Sequence, residues 1–249
     1  MTLSRFARWE VLLAAFLVVL ILIGASLSPV FLTSRNIANL IAAVIEVAIM
    51  SLPMALIIIA GEIDLSVESM VGLSAAILGA LFAAGVPLPL CLVAVVIAGA
   101  LGGLLNGILV TRVRLPSLVV TLGTLALYRG LALVILESRG VSNFPDWFIN
   151  LGFGTVPGLP IPIPFLLYLA IAVVLAVLLH RTWIGRQLYA IGKNQAAARF
   201  SGVRVARIKL LLFVLSGTIA SIAGIVLSGT FCMNRFGRTI ACGSPESRR

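Results

Sequence analysis

The chain has 249 residues, 61% of them hydrophobic and only 10% charged, with a formal net charge of +10 and a mean hydropathy of +1.20. Such a composition excludes a water-soluble globular domain, because the apolar surface exceeds what one core can hide. It also excludes nucleic acid as a partner, since no basic stretch interleaved with aromatics sits on a soluble domain.

In chain order, seven apolar stretches read as membrane-spanning helices, at about 11–32, 37–60, 67–84, 87–110, 117–136, 163–180 and 208–231. About 20 apolar residues suffice for a helix to cross a bilayer core. A closed barrel would instead alternate apolar and polar residues, and the run 12–23 does not. The expected fold class is all-α and polytopic, with a transmembrane domain over 1–231 and an atypical tail over 232–249.

The first stretch follows Arg5 and Arg8 and ends near Gly24-Ala25-Ser26, a layout shared with cleaved signal peptides. Its length and the six spans after it argue for a retained helix. With the N-terminus in the cytoplasm, Arg112, Arg114 and the basic segment from Arg181 to Lys209 also fall inside, facing Arg35 and Arg139 outside. That is the positive-inside asymmetry, and it makes the net charge a topology signal that brings basic residues to membrane lipid. Trp9 and Trp183 fall at the inner boundary. The tail breaks the pattern, because Arg235, Arg238, Arg248 and Arg249 would lie outside.

Glu46 sits within the second span, with Met50 and Pro53 further along the same face. A carboxylate at mid-bilayer costs ~2.5–3.5 kcal/mol on insertion scales, so it must face a partner or a watery cavity. Glu46 is therefore a candidate pathway residue, the alternative being a hydrogen-bonded packing residue. Asn106, Tyr128 and Arg129 are further pathway candidates. Between the second and third spans, Gly61-Glu62-Ile63-Asp64-Leu65-Ser66 reads as a polar turn on the inner surface, with Asp64 or Ser66 capping the next helix. The sharper alternative is a broken helix dipping into the membrane.

Gly99, Gly103 and Gly107 fall on one face of the fourth span. Ala220, Gly224 and Ser228 repeat the device in the seventh, and Gly72, Ala76 and Ala80 in the third. Small residues at four-residue spacing let helix backbones approach, so these faces are expected to pack.

Enzymatic chemistry lacks its parts. His180 is the only histidine, at the end of a span, and there is no HExxH, GxSxG or CxxC. Gly185 and Gly192 are six residues apart and Asn194 follows Lys193, whereas a P-loop needs four between its glycines and a Ser or Thr after its Lys. No cofactor or metal is expected. Cys91, Cys232 and Cys242 have no metal spacing, and a Cys232–Cys242 disulfide stays open. In the basic segment 181–207, Asn194 suits an N-cap, 195–201 a short helix and Gly202 its C′ stop. Ala196, Ala197 and Ala198 make that helix small-sided. It either meets anionic lipid heads or is presented to a soluble partner.

Four stretches carry a family resemblance: Leu52-Pro53 through Gly61-Glu-Ile-Asp64-Leu65-Ser66-Val67; Gly102-Gly-Leu-Leu-Asn106-Gly107; Pro116 through Thr121-Leu122-Gly123-Thr124 to Arg129-Gly130; and Gly185-Arg186 through Gly192-Lys193-Asn194 to Ser201-Gly202. In this order they resemble the permease subunits of bacterial ABC importers for monosaccharides, of the ribose, xylose, rhamnose and autoinducer-2 type, over about 11–228. The resemblance implies a permease domain that moves a monosaccharide or related polyol-like solute across the inner membrane. It implies a cytoplasmic ATP-binding subunit, a second permease subunit (identical or not) and a periplasmic solute-binding protein. Asn194, Ala196, Ala197, Arg199, Ser201 and Gly202 would form the coupling helix seated on the ATP-binding subunit.

Two features depart from the family. Glu68 stands where it usually has Gly, and members continue for several helices beyond the equivalent of Ser228, whereas 232–249 matches nothing. The resemblance thus implies a product lacking its last helices, and a non-transporting membrane subunit is one alternative function. An ion-coupled secondary transporter using Glu46, Glu62 or Asp64 is the other.

Overall fold

In the computed structural model, which describes residues 3–136, 144–156, 161–233 and 239–241, the chain is a helical bundle. Its elements are α1 (Leu3–Leu27), α2 (Ser34–Ile59), α3 (Val67–Ala83), α4 (Leu88–Thr111), α5 (Ser117–Leu136), α6 (Asp146–Phe153), α7 (Ile163–Arg181), α8 (Trp183–Lys193), α9 (Gln195–Phe200) and α10 (Val205–Thr230). A short antiparallel strand pair follows, β1 (Phe231–Met233) with β2 (Thr239–Ala241), in which Phe231 faces Ala241. The side chains of the tail cysteines and arginines lie outside the described residues.

Among the described residues six helices are long and apolar enough to cross a membrane, with α3 a shorter apolar helix where a seventh span is expected. Its 17 residues rise only about 26 Å against a hydrocarbon core of ~30 Å. Three further boundaries differ from expectation. The last expected span starts earlier, at Val205. Thr182, extended at φ −104° and ψ 164°, separates α7 from an independent α8. Pro145 precedes a short α6, with Phe148 among its fully buried side chains.

The centre of the bundle is α10, which lies along α4 and is flanked by α3, α2 and α6. Glycine makes the α4–α10 approach possible. A Cβ on Gly99 would stand 2.5 Å from the Gly217 carbonyl oxygen, and one on Gly103 would collide with the Phe213 carbonyl. Further along, one on Gly107 would meet the Leu210 backbone at 3.2 Å. These contacts are backbone on backbone, which only the absence of a side chain permits. Gly224 of α10 likewise meets Ser74 and the Val71 carbonyl of α3, whereas a Cβ on Gly72 would meet nothing within 4 Å. The expected small face of the third span is therefore displaced: α3 approaches α10 through Val71, Ser74 and Ala75, not through Gly72.

Ile49, Leu56, Ile57, Phe213, Ala220 and Ala223 fill the main core, and Leu78, Cys91, Val95 and Phe148 a second cluster. The spanning part of α1 has no buried residue within the described chain. Phe31 folds back over Gly24 near its end.

Candidate functional site

Two adjacent features define the candidate site: a non-helical segment tied to the bundle by its polar side chains, and a short helix displayed at the end nearest it. The segment begins where α2 stops. Gly61 takes φ +76°, and the N–H groups of Gly61 and Glu62 close back on the Ile58 and Ile57 carbonyls at 3.0 and 3.1 Å. This left-handed glycine closure satisfies the last helical carbonyls and turns the chain.

Residues 62–65 then carry neither helix nor strand. Backbone groups without helical partners need other protein groups in their place. The replacements come largely from α5. The Ile63 N–H donates to Ser117 Oγ at 3.2 Å, and Thr121 Oγ1 lies 3.4 Å from the Ile63 carbonyl. Asp64 completes the set. Its Oδ1 accepts from the Ser66 N–H at 3.0 Å and the Ser66 hydroxyl at 2.6 Å, and its Oδ2 accepts from Ser216 Oγ of α10 at 3.0 Å. Asn106 of α4 donates to Ser66 Oγ at 2.8 Å.

Asp64 and Ser66 are each 3% exposed, while Ile63 and Leu65 between and beside them are 44% and 37% exposed. Ser216 lies two helical turns along α10 from Lys209, which holds Glu62 at the mouth of the segment. Ser66 precedes α3 without capping it through its side chain, because its hydroxyl donates to Asp64.

At the mouth, Lys209 is 6% exposed. Its ammonium donates to Glu62 Oε1 and, at 2.9 Å, to Gln195 Oε1. Gln195 is the first residue of α9. That helix is capped at its start by Asn194 Oδ1, which accepts from the Ala197 N–H at 3.0 Å. At its end Gly202 takes φ +83°, while Val203 N–H bonds the Ala198 carbonyl at 3.0 Å. Ala198 is buried against the bundle; Ala196, Ala197, Arg199, Ser201 and Gly202 face outward. So does Phe200, at 95% exposure.

Two cavities flank the segment. One of about 460 Å³ opens between α2 and the start of α3, lined by Met50, Ser51, Met54, Asp64 and Glu68 among others. The other, about 280 Å³, lies at the α9 end and is lined by Glu62, Arg114, Ser117, Gln195, Arg199 and Lys209 among others.

The pathway candidates do not assemble into one cluster. Asn106 of α4 and Tyr128 of α5 are both buried, and the Tyr128 hydroxyl donates to the Gly102 carbonyl, one turn of α4 before Asn106, at 2.9 Å. Glu46 is buried on the packed face of α2, and Arg129 is exposed on the far side of α5. None of the four lines either cavity. Three residues of the site went unselected from sequence: Phe200, Gln195 and Lys209. A signal existed for each of two: a lone aromatic inside a basic segment, and a lysine four residues inside an apolar helix.

A bundle of apolar helices, with buried polar residues around a non-helical segment and a capped helix displayed beside it, is the architecture of a membrane permease. Over residues 36–237 the chain matches the family described as branched-chain amino acid transport system / permease component, and it belongs to that family. It is 33% identical over 229 residues to the autoinducer 2 import system permease protein LsrD of Escherichia coli strain K12, an alignment covering 90% of this chain and 69% of that one. LsrD of Shigella flexneri matches to the same extent. No solved structure matches. These findings bear out the resemblance to ABC importer permeases read from the motifs. The chain is a multi-pass transport permease of the bacterial inner membrane and not an enzyme.

Proposed function

We propose that this permease imports a monosaccharide or related polyol-like solute, driven by ATP hydrolysis in a cytoplasmic subunit that seats on α9. In this reading the N-terminus, α8 and α9 face the cytoplasm. A periplasmic solute-binding protein delivers the solute, and a second permease subunit completes the pathway. Family description and relatives' names mention different solutes, so the polyol class rests on the motif resemblance.

The observation that carries the proposal is Phe200. A short helix stopped at both ends presents an aromatic side chain that is 95% exposed, beside Ala196 and Ala197. In water such a side chain is unfavourable, and on a stiff support it has the form of an anchor for a partner's pocket. The sequence has no phosphate-cradling loop of its own, so the energy must enter through such a contact.

The test is co-purification from native membranes. The wild-type chain should bring down an ATP-hydrolysing subunit, and deletion of 195–202 or Phe200→Asp should abolish this while membrane levels hold. Ala197→Trp should leave the protein in the membrane and uncouple transport from hydrolysis. Uptake that survives ATP depletion but collapses with the proton gradient would overturn the proposal in favour of ion coupling.

A further inference from the structure

Lys209 lies on a helix that continues into the core, yet it holds two groups from elsewhere in the chain. We propose that Lys209 is the positioning residue through which displacement of α9 reaches the non-helical segment 62–65. The inference rests on α9 being the seat of the ATP-binding subunit, and it goes beyond that reading by naming the internal link.

Three observations support it. The first is the contact itself. The Lys209 ammonium donates both to Glu62 at the mouth of the segment and to Gln195 at the start of α9, and the residue is 6% exposed. An ammonium at such a site is strongly destabilised if its partners leave, so the three groups move together.

The second is the lack of slack beyond Glu62. Only Ile63 separates Glu62 from Asp64, and two residues of chain span at most ~7 Å. A shift of Glu62 outward along its own direction cannot be absorbed before Asp64. It must pull on the Asp64 carboxylate, and hence on Ser66, Asn106 and Ser216.

The third is the cavity of about 280 Å³ beside the ammonium. It gives Lys209 room to swing with α9 without disturbing packed side chains. Its walls also carry the guanidinium-bearing residues Arg114 and Arg199, whose like charge opposes transfer of the ammonium away from Glu62. The link can therefore move without being exchanged for another partner.

Two measurements test the proposal. In the full chain in lipid nanodiscs, amide hydrogen exchange at Ile63 and Ser66 should rise several-fold in Gln195→Ala, although Gln195 touches neither residue. It should rise further in Lys209→Met. Unchanged exchange at both amides would overturn the link.

In the complex co-purified with its ATP-hydrolysing subunit, Lys209→Met should abolish the dependence of hydrolysis on the solute-binding protein. The double exchange Glu62→Lys with Lys209→Glu should restore it, because Gln195 can turn its amide N–H toward the relocated carboxylate. A Lys209→Met complex that remains fully coupled would sink the inference while leaving the function reading standing. If no such subunit accompanies the wild-type chain, the function reading fails, and the exchange measurement alone decides the link.

Discussion

Asp64→Ala should be among the most damaging single changes in this bundle, and Asp64→Asn among the most tolerated at the same position. The wild-type carboxylate accepts from the Ser66 N–H, the Ser66 hydroxyl and the Ser216 hydroxyl, all within a site where Asp64 is 3% exposed. Alanine removes every acceptor at once. The two hydroxyls can rotate toward other oxygens, but the backbone N–H cannot. A buried donor left unpaired costs ~1–3 kcal/mol, so one orphaned N–H and one poorly rehoused hydroxyl together imply a loss of about 2–4 kcal/mol. Asparagine keeps Oδ1 for Ser66, and Ser216 can reverse its hydroxyl to accept from Nδ2. It also removes the penalty of burying a negative charge, so its net effect should lie within ~1 kcal/mol of zero. Reversible unfolding in mixed micelles, followed by loss of helical signal with added SDS, would rank the variants. An alanine variant as stable as the asparagine one would refute the reasoning.

Gly103→Ala should destabilise by ~1–3 kcal/mol, because the added methyl has no space short of the α10 backbone, whereas Gly72→Ala should be neutral or stabilise by ~0.5–1 kcal/mol, since that site is open and alanine favours helix; the same unfolding assay checks the pair. Asn194→Ala removes the acceptor for the Ala197 N–H and should weaken α9 by about 1 kcal/mol, seen as faster hydrogen exchange at 197–198 with the spanning helices unchanged. Ser117→Ala orphans the Ile63 N–H and should cost ~1–3 kcal/mol, while Ser117→Thr retains the hydroxyl and should recover most of it.

What the sequence makes legible here follows from which interactions are local. Helix existence is written in apolar run length, and the ends at Gly61 and Gly202 in single glycines whose positive φ no other residue adopts cheaply. The start of α9 at Asn194 is equally local, being a side chain that reaches three residues ahead. The path of 62–65 is not legible in this way. Whether 62–65 lie on the surface or inside depends on Ser117, Thr121 and Ser216, which are 50 to 150 residues away and individually look like ordinary small polar residues in spans. The same holds for Lys209, whose charge reads as a topology marker until Glu62 and Gln195 are placed beside it. Glycine spacing shows that α3, α4 and α10 pack closely, but rotation about the helix axis decides which small residues meet. That is why Ser74 rather than Gly72 faces Gly224.

The glycine seam between α4 and α10 has a mechanical consequence. Two helices in main-chain contact have almost no side-chain cushion between them, so they cannot slide or tilt past one another without steric collision. They form one stiff plank. Any rearrangement of the bundle must carry that plank as one body, so the joints that give way lie at its rim.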